Sequence, residues 1–270
     1  MRWAVYRSFA LVRASWRSAA SYRLRFIMSF VSLAASVVPL YFIANALQST
    51  MAGAIQGEGS QYFAFLILGT VALLLVGAAV NSLPGEIGSG INTGVLDALL
   101  GTPSRLPAIL GGLIGYGLLW TVARGVVLVV AAWVLGANVV WSQAFMALVV
   151  LALILAAHIP LGMMAAALVI AFRTPGPLPK VVMAGSALLG GVYYPTSVVP
   201  SWLQHVSDLI PLSYGLRALR GALLEGTSAS ALLPDLAALA LFTVVLAGLG
   251  TLALMSAFTY ARRAGTLAHY

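Results

Sequence analysis

YFAFLILGTVALLLVGAAVNSL, residues 62–83, runs without one charged side chain. A helix needs about 20 mostly apolar residues to cross a hydrocarbon core about 30 Å thick. Five further apolar runs flank this one, at 26–47, 108–136, 141–172, 178–194 and 235–260. Most meet the length outright, and 141–172 is long enough to tilt or to extend past the bilayer. The run at 178–194 sits at the lower limit, where crossing and re-entry compete. The composition agrees. Of the 270 residues, 61% are hydrophobic and 7% charged, against about 25% charged in a soluble domain. Too few charges exist to coat a water-soluble surface, and a disordered chain needs the opposite balance. The expected class is an all-α membrane protein of one domain.

Net charge is +8, and its placement says more than its size. Arg2, Arg7, Arg13, Arg17, Arg23 and Arg25 precede the first run with no acid among them. A basic segment ahead of an apolar run marks the cytoplasmic membrane surface rather than nucleic acid. With six crossings and both ends inside, those arginines join Arg105, Arg173, Lys180, Arg262 and Arg263 on one side. Arg217 and Arg220 alone fall outside, and Arg124 lies within a span. If 178–194 did not cross, Arg262 and Arg263 would move outside. Six transmembrane helices in the cytoplasmic membrane, with cytoplasmic N- and C-termini, satisfy the rule best. Ala44-Asn45-Ala46 imitates a signal-peptide cleavage site, but the apolar run before it is too long for a signal core.

Residues 1–24 read as an interfacial amphipathic helix. Val5, Phe9, Val12 and Trp16 share one face while Arg2, Arg7, Arg13 and Arg17 point elsewhere, which suits the headgroup plane. The export domain would then occupy 25–270.

Two connections are too patterned to be simple turns. In the first, at 84–105, a short helix over 93–100 would carry Val95, Leu96, Leu99 and Leu100 on one stripe, with Pro103 as its stop. An apolar stripe beneath the membrane needs a cover, either lipid or a partner protein. The second connection, 190–220, is punctuated by Pro195, Pro200 and Pro211. It predicts two short helices, at 201–209 and 213–224, which suit re-entrant or interfacial placement on the outer face.

These loops resemble those of the permease subunits of ABC-type exporters of drugs, polysaccharides and lipids. Gly191, Val192, Tyr193, Tyr194, Pro195, Ser197, Pro200, Trp202 and Leu203 match the family's G-V-[FY]-[FY]-P-x-S-x-[LV]-P-x-W-L segment. Pro211, Leu212, Ser213, Tyr214, Leu216, Ala218, Leu219 and Arg220 match the segment that follows it. Gly94, Leu96, Asp97, Leu99, Leu100, Thr102 and Pro103, followed by Arg105, resemble the family's ATPase-coupling region. This chain departs from the family at Ile91-Asn92-Thr93, where relatives crowd Arg and Glu, so that Glu86 is the nearest acid ahead of Gly94.

The resemblance implies two permeases, identical or related, and two ABC ATPase subunits, with ATP and Mg held by the ATPase and no cofactor on this chain. It also implies that the 93–103 helix sits in a groove of the ATPase. The sequence itself holds no G-x-x-x-x-G-K-[ST] loop, and its one lysine, Lys180, follows Pro177-Leu178-Pro179. Neither a nucleophile motif nor an intramembrane carboxylate pair is present, so neither a membrane hydrolase nor a proton-driven carrier is favoured.

Arg124 stands near the middle of its span, where a cation costs at least about 2.5–3.5 kcal/mol. Tyr116, Trp120 and Arg124 form one helical stripe and, with His158 of the next span, are candidates for a substrate path or a permease dimer seam. His158 lies at similar depth in the next span, and contact with Arg124 would hold it neutral. Gly111 and Gly115 form a small-xxx-small pair suited to close packing. The expected cargo is an amphipathic drug-like or lipid-like molecule. A lipid-linked glycan is the alternative, and an ATP-independent channel the third.

Overall fold

The computed structural model describes residues 23–94 and 106–263. The 1–24 helix therefore lies almost wholly outside the described residues. So do Leu96, Asp97, Leu99, Leu100, Thr102, Pro103 and Arg105. Among the described residues every regular element is helical.

The elements are α1 (Arg23–Met51), α2 (Tyr62–Asn92), α3 (Leu106–Val134), α4 (Ala144–Phe172), α5 (Leu178–Leu189), α6 (Ser201–Ser207), α7 (Pro211–Arg220) and α8 (Ala229–Arg263). A 3-10 turn (Trp141–Gln143) leads into α4, and α7 loosens into a π-type turn (Gly221–Glu225). Five of these helices, α1, α2, α3, α4 and α8, are long and apolar enough to cross a membrane.

The run at 178–194 differs from expectation. It is helical for only 12 residues, about 18 Å at 1.5 Å per residue. Gly190 caps the helix, and Gly191, at φ 79°, turns the backbone into the left-handed region that ends helices. The chain nevertheless continues along α2. Pro179 borders Pro84 and Gly88, Met183 faces Gly77, and the Val192 carbonyl meets Gly69. The Tyr62 hydroxyl then donates to the Tyr193 carbonyl at 2.9 Å. This segment thus lies antiparallel to α2 over most of its length.

Helix α2 is the hub. In its most apolar window 72% of residues are buried, against 17–33% in the other four long helices. It packs against α1, α3, α4, α5 and α7, while α8 packs on α4 and α7. Phe65, Leu68, Leu75, Val80 and Leu83 are buried along it. Lipid tails are as apolar as leucine, so close fit and polar contacts, rather than transfer out of water, hold such helices together. Two glycines supply the fit. A Cβ on Gly162 would overlap the Ala79 carbonyl oxygen where α4 crosses α2, and one on Gly250 would press on Pro160 where α8 crosses α4. Gly111 of the expected pair makes no such approach, because a Cβ there would meet nothing within 4 Å. Spacing alone finds small residues but not the face they occupy.

Candidate functional site

The patterned second connection folds into a cap over the Tyr62 end of the bundle. Its prolines act as helix starts: Pro200 precedes α6, and Pro211 is the first residue of α7, where a missing N–H is harmless. Pro195 is extended and buried. The Gln204 amide closes the loop onto the Val199 carbonyl at 2.9 Å. The Ser213 hydroxyl donates to the Ser207 carbonyl at 2.9 Å, fixing α7 against the end of α6. The Tyr214 hydroxyl donates to the Asp208 carbonyl at 3.0 Å. Trp202 stays 68% exposed, as suits an aromatic at the membrane surface.

Arg220 is the centre of this cap. Its side chain is 1% exposed. Nη1 donates to Glu58 Oε2 at 2.7 Å, and Nη2 donates to the carbonyls of Phe65 and Val192 at 3.2 and 3.3 Å. The guanidinium carbon stands 3.3 Å from the centroid of the Phe65 ring. One side chain thereby ties α7 to the α1–α2 loop, to α2 and to the stretch after α5. The planar fork of arginine suits several acceptors at once. Burial lowers its pKa to about 10, with Glu58 opposing the shift, so it remains charged at neutral pH. Arg217 makes a more open pair, with Nη2 2.8 Å and Nε 3.2 Å from Asp235 Oδ1, and stacks 4.7 Å over the Tyr214 ring.

Further bonds close the same end. Gln48 Oε1 accepts from the Tyr62 N–H at 2.7 Å, and Gln61 Oε1 accepts from the Asn138 N–H at 2.8 Å. The Val140 N–H donates to the Leu223 carbonyl at 2.8 Å. Glu58 had no role in the sequence reading. The available signal was that Arg217 and Arg220, the two bases outside the basic side, had acids to match in Glu58 and Asp235.

The intramembrane residues are not gathered together. Tyr116, Trp120 and Arg124 follow one line along α3, each half-buried. Arg124 Nε is buried without a hydrogen-bond partner. His158 is fully buried in α4, its Nδ1 at 2.7 Å from the Ile154 carbonyl and its Nε2 unpartnered. No hydrogen bond therefore joins His158 to Arg124: α3 packs on α1 and α2, and α4 packs on α2, α7 and α8. Of the expected coupling residues, Glu86 and Gly94 are described, both exposed toward the Asn92 end of α2.

A bundle of long apolar helices around a buried hub, capped by a proline-punctuated helical pair, defines a multi-pass membrane protein. The family model for the ABC-2 type transporter matches residues 5–224. The chain belongs to that family, as a permease subunit. Permeases of this family work with an ABC ATPase subunit, typically as dimers. No curated protein matches the chain.

Proposed function

We propose that this chain is the permease of an ATP-driven exporter, carrying an amphipathic drug-like or lipid-like molecule outward across the cytoplasmic membrane. The observation that carries the reading is the family model spanning residues 5–224. Six crossings are the preferred count. The antiparallel run of α5 and the residues after it along α2 supports the sixth, together with the skew of basic residues to the Asn92 end. On this reading the Tyr62 end is outer and the Asn92 end cytoplasmic.

Two ATPase subunits bind ATP and Mg and act on a permease pair. The helix expected at 93–103 seats in the ATPase, with Leu96 and Leu100 on its apolar face and Asp97 and Glu86 at its rim. Tyr116, Trp120 and Arg124 line the cargo path or the seam with a second permease. The half-burial of the stripe and the unpartnered Nε of Arg124 support that role. His158 holds the interior of α4, since its ring is wholly enclosed within this chain.

Leu96→Asp with Leu100→Asp tests the coupling. The variant is expected to fold and insert normally but to lose co-purification with the ATPase. Unchanged ATPase binding and stimulation would contradict the assignment.

A further inference from the structure

A cleft of about 340 Å³ opens between α2, the end of α4 and the start of α5. Asn81, Gly85, Gly88, Ser89, Arg173 and Pro179 are among its walls. We infer that this cleft binds the phosphate headgroup of an anionic phospholipid of the cytoplasmic leaflet. The inference rests on the proposed function for which end is cytoplasmic and for where the ATPase docks.

Depth is the first reason. At 1.5 Å per residue, Asn81 lies roughly 28 Å along α2 from Tyr62, where a hydrocarbon core about 30 Å thick gives way to headgroups. The coupling segment begins beyond Asn92, roughly 16 Å further down the same axis. The cleft therefore faces the headgroup layer, and the ATPase would meet the chain below it.

Charge is the second reason. Arg173 lines the cleft, and Lys180 follows its wall residue Pro179; both side chains are exposed. Basic pockets between membrane helices on the cytoplasmic side suit anionic headgroups. The first turn of α5, with its unpaired N–H groups, opens beside Pro179 and adds to the attraction. Glu86 is exposed on α2 but is not part of the wall.

Shape is the third reason. Glycine inside a helix costs about 1 kcal/mol relative to alanine, yet neither cleft glycine answers to packing. A Cβ on Gly85 would meet nothing within 4 Å, and one on Gly88 would meet only Val169, at 3.8 Å. What the two glycines leave is open space alongside α2. The opposite wall carries Pro175 and Pro179, and between them the Gly176 N–H donates to Thr174 Oγ1 at 3.4 Å.

The test uses the full chain, purified without ATPase in neutral detergent and unfolded by heat under tryptophan fluorescence. It is titrated with phosphatidylglycerol, phosphatidylcholine or inorganic phosphate. Phosphatidylglycerol is expected to raise the midpoint and the other two to leave it unmoved. R173N with K180Q, asparagine being tolerated at the φ of 62° found at Arg173, removes the charge. It should need about thirtyfold more phosphatidylglycerol for the same rise. G88L keeps both charges and fills the cleft, and should blunt the same response. An equal response to phosphatidylcholine, reproduction of the effect by inorganic phosphate, or a full response in both variants would overturn the inference. So would a G88L chain that keeps its lipid response but no longer co-purifies with the ATPase, since the cleft would then belong to that partner. Because no ATPase enters the titration, its result stands apart from that of the Leu96 and Leu100 experiment.

Discussion

At the Tyr62 end, Arg220 reaches Glu58, Phe65 and Val192, Arg217 reaches Asp235, and Gln48 and Gln61 bridge loop to helix. Neither of those two ion pairs lies at the Asn92 end, where α2 runs out through exposed Asn92, Thr93 and Gly94 and a cleft opens beside it. A smaller apolar cluster joins the helices there, with Leu83, Ile87, Ile170 and Phe258 among its members. The Tyr62 end is thus a body locked by directional contacts, while an apolar cluster joins the helices at the Asn92 end. Polar contacts have strict geometry and break all at once, whereas apolar surfaces tolerate sliding. On the proposed reading, in which the ATPase acts at the Asn92 end, the end that receives force is the one free to shift.

The comparison breaks most decisively at Glu58. Glu58→Gln leaves the Arg220 guanidinium buried beside a neutral partner, and losing one member of a buried pair costs about 3–5 kcal/mol. The expected result is a large fall in the thermal midpoint in detergent, read by fluorescence-detected size exclusion. A midpoint within error of the parent would mean that the cap is not locked by this pair.

A backbone contact tests the helix crossing next. Gly162→Ala sets a Cβ against the Ala79 carbonyl, and overpacking of this kind costs about 1–3 kcal/mol. Gly111→Ala is its control: with open space at that site, helix propensity should make it neutral or stabilising by up to about 1 kcal/mol. Equal destabilisation by the two would show that α4 does not approach α2 as described.

The smallest effect belongs to the half-exposed Arg217–Asp235 pair. Asp235→Asn should cost no more than about 1 kcal/mol, as exposed ion pairs do, with the loss shrinking in high salt. A loss equal to that of Glu58→Gln would erase the distinction between a buried lock and a rim contact.

Much of this fold is legible from the sequence because membrane spans are written in long apolar runs. The prolines of the second connection mark helix starts that the structure uses at Ser201 and Pro211. The end of α5 was less legible: an apolar run through Tyr194 hides a turn that depends on the backbone of Gly190 and Gly191. The partnership of Arg220 with Glu58 spans 162 residues, and nothing local announces it. Gly111 and Gly162 illustrate the same limit, since which glycine meets a neighbour is decided by helix rotation, a tertiary property. Arg124 and His158 share a depth in the sequence pattern, and depth does not say which helices share a face.

The most direct test of a permease worked by a separate ATPase is transport into inside-out vesicles containing this chain, with and without the ATPase. A fluorescent amphipathic dye is followed with ATP and Mg supplied outside. Uptake against the gradient is expected only when both proteins are present, and is expected to vanish in the Leu96→Asp, Leu100→Asp chain. Uphill uptake by vesicles holding this chain alone would contradict the account.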